Sequence, residues 1–110
     1  VWAYGHDHVN VAQTLMNLGN AYMGLGDYAK QCDMQERALA IQEREYGRDH
    51  AQVAITLFNL AMVSGALGDI PKAGELLKRA LTIYESTYGP NHPDTKQCQD
   101  GLAVVASLTQ

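Results

Sequence analysis

The chain repeats itself every 42 residues, and no other feature narrows its fold as far. Tyr4-Gly5 returns as Tyr46-Gly47 and Tyr88-Gly89, and His8, His50 and His92 follow at the same interval. Laying residues 4–45 over 46–87 pairs Val11 with Val53, Leu15 with Leu57, Asn17 with Asn59 and Leu18 with Leu60. About 19 of those 42 positions are identical. Self-similarity at such a period marks stacked supersecondary units, none of which can bury its apolar face alone. The register divides the chain into a tail of a preceding unit (1–3), two complete units (4–45 and 46–87) and a partial third (88–110). Val1-Trp2-Ala3 align with Glu43-Arg44-Glu45, so a longer parent array is expected.

Each unit reads as two helices, and the chain as all-α. Val11, Leu15, Leu18 and Tyr22 recur at helical spacing, as do Val53, Leu57 and Leu60, which predicts one buried face per first helix. Gly26-Asp27 and Gly68-Asp69 supply the turn that ends it. Second helices are expected over about 28–44 and 70–87, with Ala38-Leu39 and Ala80-Leu81 turned inward. Small Gly19, Ala61, Ala38 and Ala80 allow close helix approach. Asp7, Asp49 and Asn91 stand where a capping oxygen is wanted, and Pro93 fits the first turn of the last helix. Alternating β-branched runs are missing, which leaves no candidate strand.

These residues resemble the tetratricopeptide repeat family. Leu15-Met16-Asn17-Leu18-Gly19-Asn20-Ala21-Tyr22 with Leu25-Gly26-Asp27-Tyr28 is similar to that family's first helix and turn, and Ala38-Leu39 to the small-Leu pair of its second. The 42-residue period and the Tyr-Gly-x-x-His-x-x-Val-Ala-x-Thr-Leu-x-Asn-Leu pattern resemble the kinesin light chain branch. The resemblance implies an α-solenoid, a right-handed superhelix of antiparallel helix pairs with about two and a half repeats. It also implies a protein–protein interaction module or scaffold, with a concave groove that takes a partner peptide. Carried over position by position, the groove residues are Gln13, Met16, Asn17, Asn20 and Met23 in one unit. In the next they are Ile55, Phe58, Asn59, Met62 and Gly65.

Asn17 and Asn59 suit that role chemically, because a carboxamide both donates and accepts and so can grip a peptide main chain. Met16, Met23 and Met62 beside Phe58 suit an apolar anchor. An ordinary place in the helical stack is the alternative for both sets. No Lys or Arg falls among the ten positions, which weakens any reading as a clamp for acidic peptides. The basic residues Arg37, Arg44, Lys78 and Arg79 lie on second helices, where a solvated face with a Glu75–Arg79 pair is expected. The pattern has departures: Gln31 stands where the next unit has Ala73, Ser64 where the first has Tyr22, and Gln99-Asp100-Gly101 replace Leu-x-Asn in the third copy. That last change suits a terminal cap over 95–108.

Composition and motifs limit the other classes. Eight basic residues against twelve acidic ones, with a net charge of −4, argue against a nucleic-acid or anionic-membrane surface. No apolar run approaches a membrane span. Cys32 and Cys98 lie far apart, which reads as free thiols in a reducing compartment, hence a cytoplasmic location. His6-Asp7-His8 is a weak metal signal, and one His per unit reads as a helix-start residue, not a ligand set. There is no GxSxG, HExxH or phosphate-cradling GxxxxGK[ST], so neither catalysis nor a cofactor is expected. A structural subunit buried in a larger complex, or a sensor array joined to an enzyme domain, are the other functions left open.

Overall fold

The computed structural model describes residues 9–109, so the readings placed on residues 1–8 lie outside it. Five α-helices follow one another: α1 (Val9–Gly24), α2 (Tyr28–Tyr46), α3 (Ala51–Ala66), α4 (Ile70–Tyr88) and α5 (Pro93–Leu108). There is no strand among the described residues. The extensive packing runs α1 on α2, α2 on α3, α3 on α4 and α4 on α5. The chain is therefore an open α-solenoid of about two and a half helix pairs, measuring 48 × 32 × 19 Å. The second helices run one or two residues further than their spacing predicts, through Tyr46 and Tyr88.

The boundaries have local causes. Asp27 and Asp69 cap α2 and α4, each carboxylate accepting the backbone N–H three residues on, from Lys30 and Lys72, at 3.2 Å. Gly47 and Gly89 leave those helices at φ of +89° and +88°, a left-handed turn that a Cβ would strain. The starts of α3 and α5 correct an expectation. Asp49 and Asn91 are not the caps; His50 and His92, one residue later, take that place. Their Nδ1 atoms accept N–H groups from Gln52 (3.0 Å) and Asp94 (3.1 Å). Tyr46 stacks on His50 with ring centroids 4.6 Å apart, and Tyr88 on His92 at 4.4 Å. The recurring Tyr-Gly-x-x-His element thus has one mechanical meaning. Glycine turns the chain, tyrosine holds the imidazole, and the imidazole starts the next helix.

The largest core lies between α3, α4 and α5: Val53, Leu57, Ala61, Leu77, Ala80, Ile83, Tyr84 and Cys98 are buried together. Ala12, Leu15, Met16, Ala38 and Ile41 form a second core between α1 and α2, and Cys32, Leu60 and Val63 a third between α2 and α3. Ala38 and Ala80 are fully enclosed, as close packing of the pairs requires. Leu18 departs from the expected buried face. It is 42% exposed, whereas its counterpart Leu60 is 0% exposed. Leu60 is sealed by Cys32 on the helix before it, and α1 has no described helix in that place.

Ion pairs also cross the seam between the two units. Lys72 Nζ lies 2.6 Å from Glu36 Oε2 and Arg79 Nη2 lies 2.7 Å from Glu43 Oε2, both between α4 and α2 and both 36 residues apart. The hydrogen bond to Glu36 holds the Lys72 ammonium above its ordinary range. Arg79 therefore reaches the preceding unit and not Glu75, which pairs with Lys78 at 3.4 Å. The expected Glu75–Arg79 pair is corrected accordingly.

Candidate functional site

The ten groove positions separate by burial once the helices are stacked. Gln13, Asn17, Asn20 and Met23 on α1, and Ile55 and Met62 on α3, are exposed. Asn59, Phe58 and Gly65 are half-buried, and Phe58 packs against the main core. Met16 is a correction: it is only 7% exposed, inside the α1–α2 core, so it lines no open surface. Its sulfur lies 3.7 Å from the hydroxyl of Thr56, which donates to Gln42 Oε1, so Met16 helps to join α1 to α3. Asn17 and Asn59 occupy the same register on successive first helices, and Asn17 Oδ1 accepts from Gln13 Nε2 at 3.2 Å. No Lys or Arg lies among these positions.

Beside this row the seams between units open into two cavities. One of about 300 Å³ is walled by Ala61, Met62 and Gly65 on α3, Ile70, Ala73 and Leu77 on α4, and Gly101, Val104, Val105 and Leu108 on α5. The other, of about 150 Å³, is walled by Met23, Tyr28, Gln31, Met62, Val63 and Ala66. The two correspond, because Tyr28, Gln31, Met62 and Val63 stand 42 residues before Ile70, Ala73, Val104 and Val105. Sequence reasoning placed Met23, Met62 and Gly65 on this surface but passed over Tyr28, Ile70, Val104 and Leu108. Their signal was available in the same register, at the start of each second helix and the end of each following first helix.

The third copy differs as its sequence indicated. Gly101 sits where Asn17 and Asn59 stand, and a Cβ there would lie 3.0 Å from Leu77 Cδ1. Small size at this point lets α5 close on α4, and α5 brings no carboxamide to the row. Gln99 and Asp100 are exposed, but so are Val104 and Leu108, so the outer side of α5 is not uniformly polar.

Other chemistry has little to stand on among the described residues. No group of three or more His, Cys, Asp or Glu side chains gathers as a metal site, and no helix is long and apolar enough to cross a membrane. Cys32 and Cys98 are buried and unlinked. Burial raises the thiol of Cys32, with Glu36 adding to it, and raises that of Cys98 to about 11. Neither is set up as a nucleophile.

Solved structures share this arrangement. BtubC (BKLC) from P. vanneervenii superposes with a TM-score of 0.84 over 91% of this chain, at 21% identity. A Podosopora anserina protein of kinesin light chain type, with nearly identical TPR-like repeats, superposes with a TM-score of 0.85 over 94% at 24% identity. The crystal structure of a glutamine-to-methionine variant of that Podosopora anserina protein superposes with a TM-score of 0.78 over 94% at 25% identity. The chain spans 39% of the first of these and 49% of each of the other two. No curated protein matches the sequence. The tetratricopeptide repeat profile matches residues 10–86 and again 59–110. With its 42-residue helix pairs and kinesin light chain-like structural neighbours, the chain belongs to the tetratricopeptide repeat family.

Proposed function

We propose that the chain is a non-catalytic protein-interaction module that holds a segment of a partner protein along the first helices, in a reducing, cytoplasmic setting. One observation carries this reading. Asn17 and Asn59 fall in one register on successive first helices, near exposed Met23 and Met62 and the cavities at both seams. Carboxamides in such a row can pair with a peptide main chain, while thioethers adapt to its apolar side chains. The lack of basic residues among these positions favours a neutral or apolar segment over an acidic one.

The test is titration of the protein with partner-derived peptides, beside the double variant Asn17→Ala, Asn59→Ala. Two lost hydrogen bonds predict binding weaker by roughly tenfold, with helicity and melting unchanged. Undiminished affinity rejects the groove. Exposed Val104 and Leu108 on α5 favour a second reading, permanent packing within a larger assembly. In that case free peptides do not bind, and the chain is recovered from its source only in a stable complex.

A further inference from the structure

The smaller cavity differs from its counterpart by a buried amide in its lining, that of Gln31. Gln31 lines it and is 4% exposed; Gln35, one turn further along α2, is 0% exposed, and Ser64 on α3, next to the cavity residue Val63, is 1% exposed. Gln31 Oε1, both polar atoms of Gln35 and Ser64 Oγ are buried without a hydrogen-bond partner in the protein. A buried amide or hydroxyl left unpaired is costly, and native structures hold few of them. In the second seam the matching α4 positions are Ala73 and Leu77, which make no such demand. Of the two cavities, only the first has an amide, that of Gln31, in its lining.

We infer that the first seam is a binding site for an uncharged hydrogen-bonding side chain, a carboxamide such as that of glutamine or asparagine, presented by the bound partner segment. This rests on the reading of the first helices as the ligand face, and names what one pocket of that face selects. Gln31 brings one carboxamide to the lining, its Oε1 an unpaired acceptor and its NH₂ a donor, which is what a second carboxamide needs in return. No charged side chain lines the cavity, so a carboxylate or an ammonium would be desolvated there with no countercharge. Met23, Tyr28 and Met62 wall the cavity and suit an apolar stem. A volume of about 150 Å³ is below that of a drug-sized pocket and fits one side chain. It equally fits a few waters, each taking about 30 Å³, and the experiment separates the two.

The side-chain NH₂ resonances of Gln31 and Gln35 report directly. The labelled protein is titrated with N-acetyl-glutamine methylamide, and with the glutamate and methionine analogues as controls. The expected result is a saturable shift of the Gln31 resonance, larger than that of Gln35, with the glutamine compound alone. In Gln31→Ala, Gln35→Leu, which copies the second seam, the accompanying shift of the Val63 methyl groups weakens roughly tenfold or more. No saturable shift, as for a cavity that holds only water, overturns the proposal; so does an equal response to glutamate. A partner peptide that binds through Asn17 and Asn59 without moving Gln31 or Gln35 also overturns it, while the groove reading stands. A glutamine-specific shift in a protein that binds no peptide supports the site and rejects the groove.

Discussion

The ring of Tyr88 lies over that of His92 at 4.4 Å, and the Nδ1 of that same His92 accepts the N–H of Asp94. Tyr46 and His50 repeat the arrangement one unit earlier. An imidazole thus does the capping work usually given to Asp, Ser or Asn. His50→Ala should lower stability by about 1 kcal/mol, and His50→Asn should restore most of it, because a carboxamide oxygen can accept the same N–H. Thermal melting of the three proteins checks this. Equal melting temperatures would mean that the cap contributes nothing.

A Cβ on Gly101 would press on the Leu77 methyl groups, 3.0 Å from Cδ1 and 3.3 Å from Cδ2. Restoring the repeat's asparagine with Gly101→Asn is expected to cost about 1–3 kcal/mol through overpacking. In a Leu77→Ala background the cost should shrink, since the clashing methyl groups are gone. Urea denaturation of the four members of the cycle measures the coupling. A cost that is the same in both backgrounds contradicts the close approach.

Removing the buried unpaired amides should stabilise the molecule. Gln31→Ala with Gln35→Leu deletes three of the four buried side-chain atoms that lack partners among the described residues, and a gain of about 1–3 kcal/mol is expected. A loss of stability in chemical denaturation would show that these amides are satisfied in solution by water that the variant expels.

Arg79–Glu43 and Lys72–Glu36 join the two units, but their side chains remain partly exposed. A double-mutant cycle with Arg79→Gln and Glu43→Gln should give a coupling below about 1 kcal/mol that fades with added salt. A large, salt-independent coupling would contradict a solvent-screened pair.

Cys98 gives a pH dependence of definite sign. Its folded thiol titrates near 11 and its unfolded thiol near 9, with burial as the main cause. Its contribution is therefore whole below pH 9 and is lost as pH rises from 9 to 11, because the unfolded chain gives up its proton first. Cys98→Ala should remove up to about 1.4 kcal/mol per pH unit from the slope of stability in that window, whatever its effect at neutral pH. Urea midpoints at about pH 8 and about pH 10 for both proteins provide the test. Identical slopes would place the thiol in water.

Much of the architecture was legible because each unit repeats its own instructions. The 42-residue interval gave the number of helices, Gly26-Asp27 and Gly68-Asp69 their turns, and Ala38 and Ala80 the points of closest packing. What stayed hidden depends on neighbours. Periodicity within α1 cannot say that Met16 turns into the core or that Leu18 stands open, since burial there is decided by which helix lies alongside. Spacing within α4 favoured Glu75 for Arg79, and only the stacked seam brings Glu43 nearer. Asp49 looked like the cap because carboxylates usually are, and the stacking of Tyr46 on His50 is invisible without the turn at Gly47. The cavity of the first seam was half visible: Gln31 broke the pattern of small residues, but its burial is a property of the assembled seam.

Helices that rest chiefly on their chain neighbours form links in series. Tension applied at the two ends is carried by every seam in turn, with little cross-bracing from α1 to α5 to share it. Such an object is a spring whose compliance is the sum of its joints.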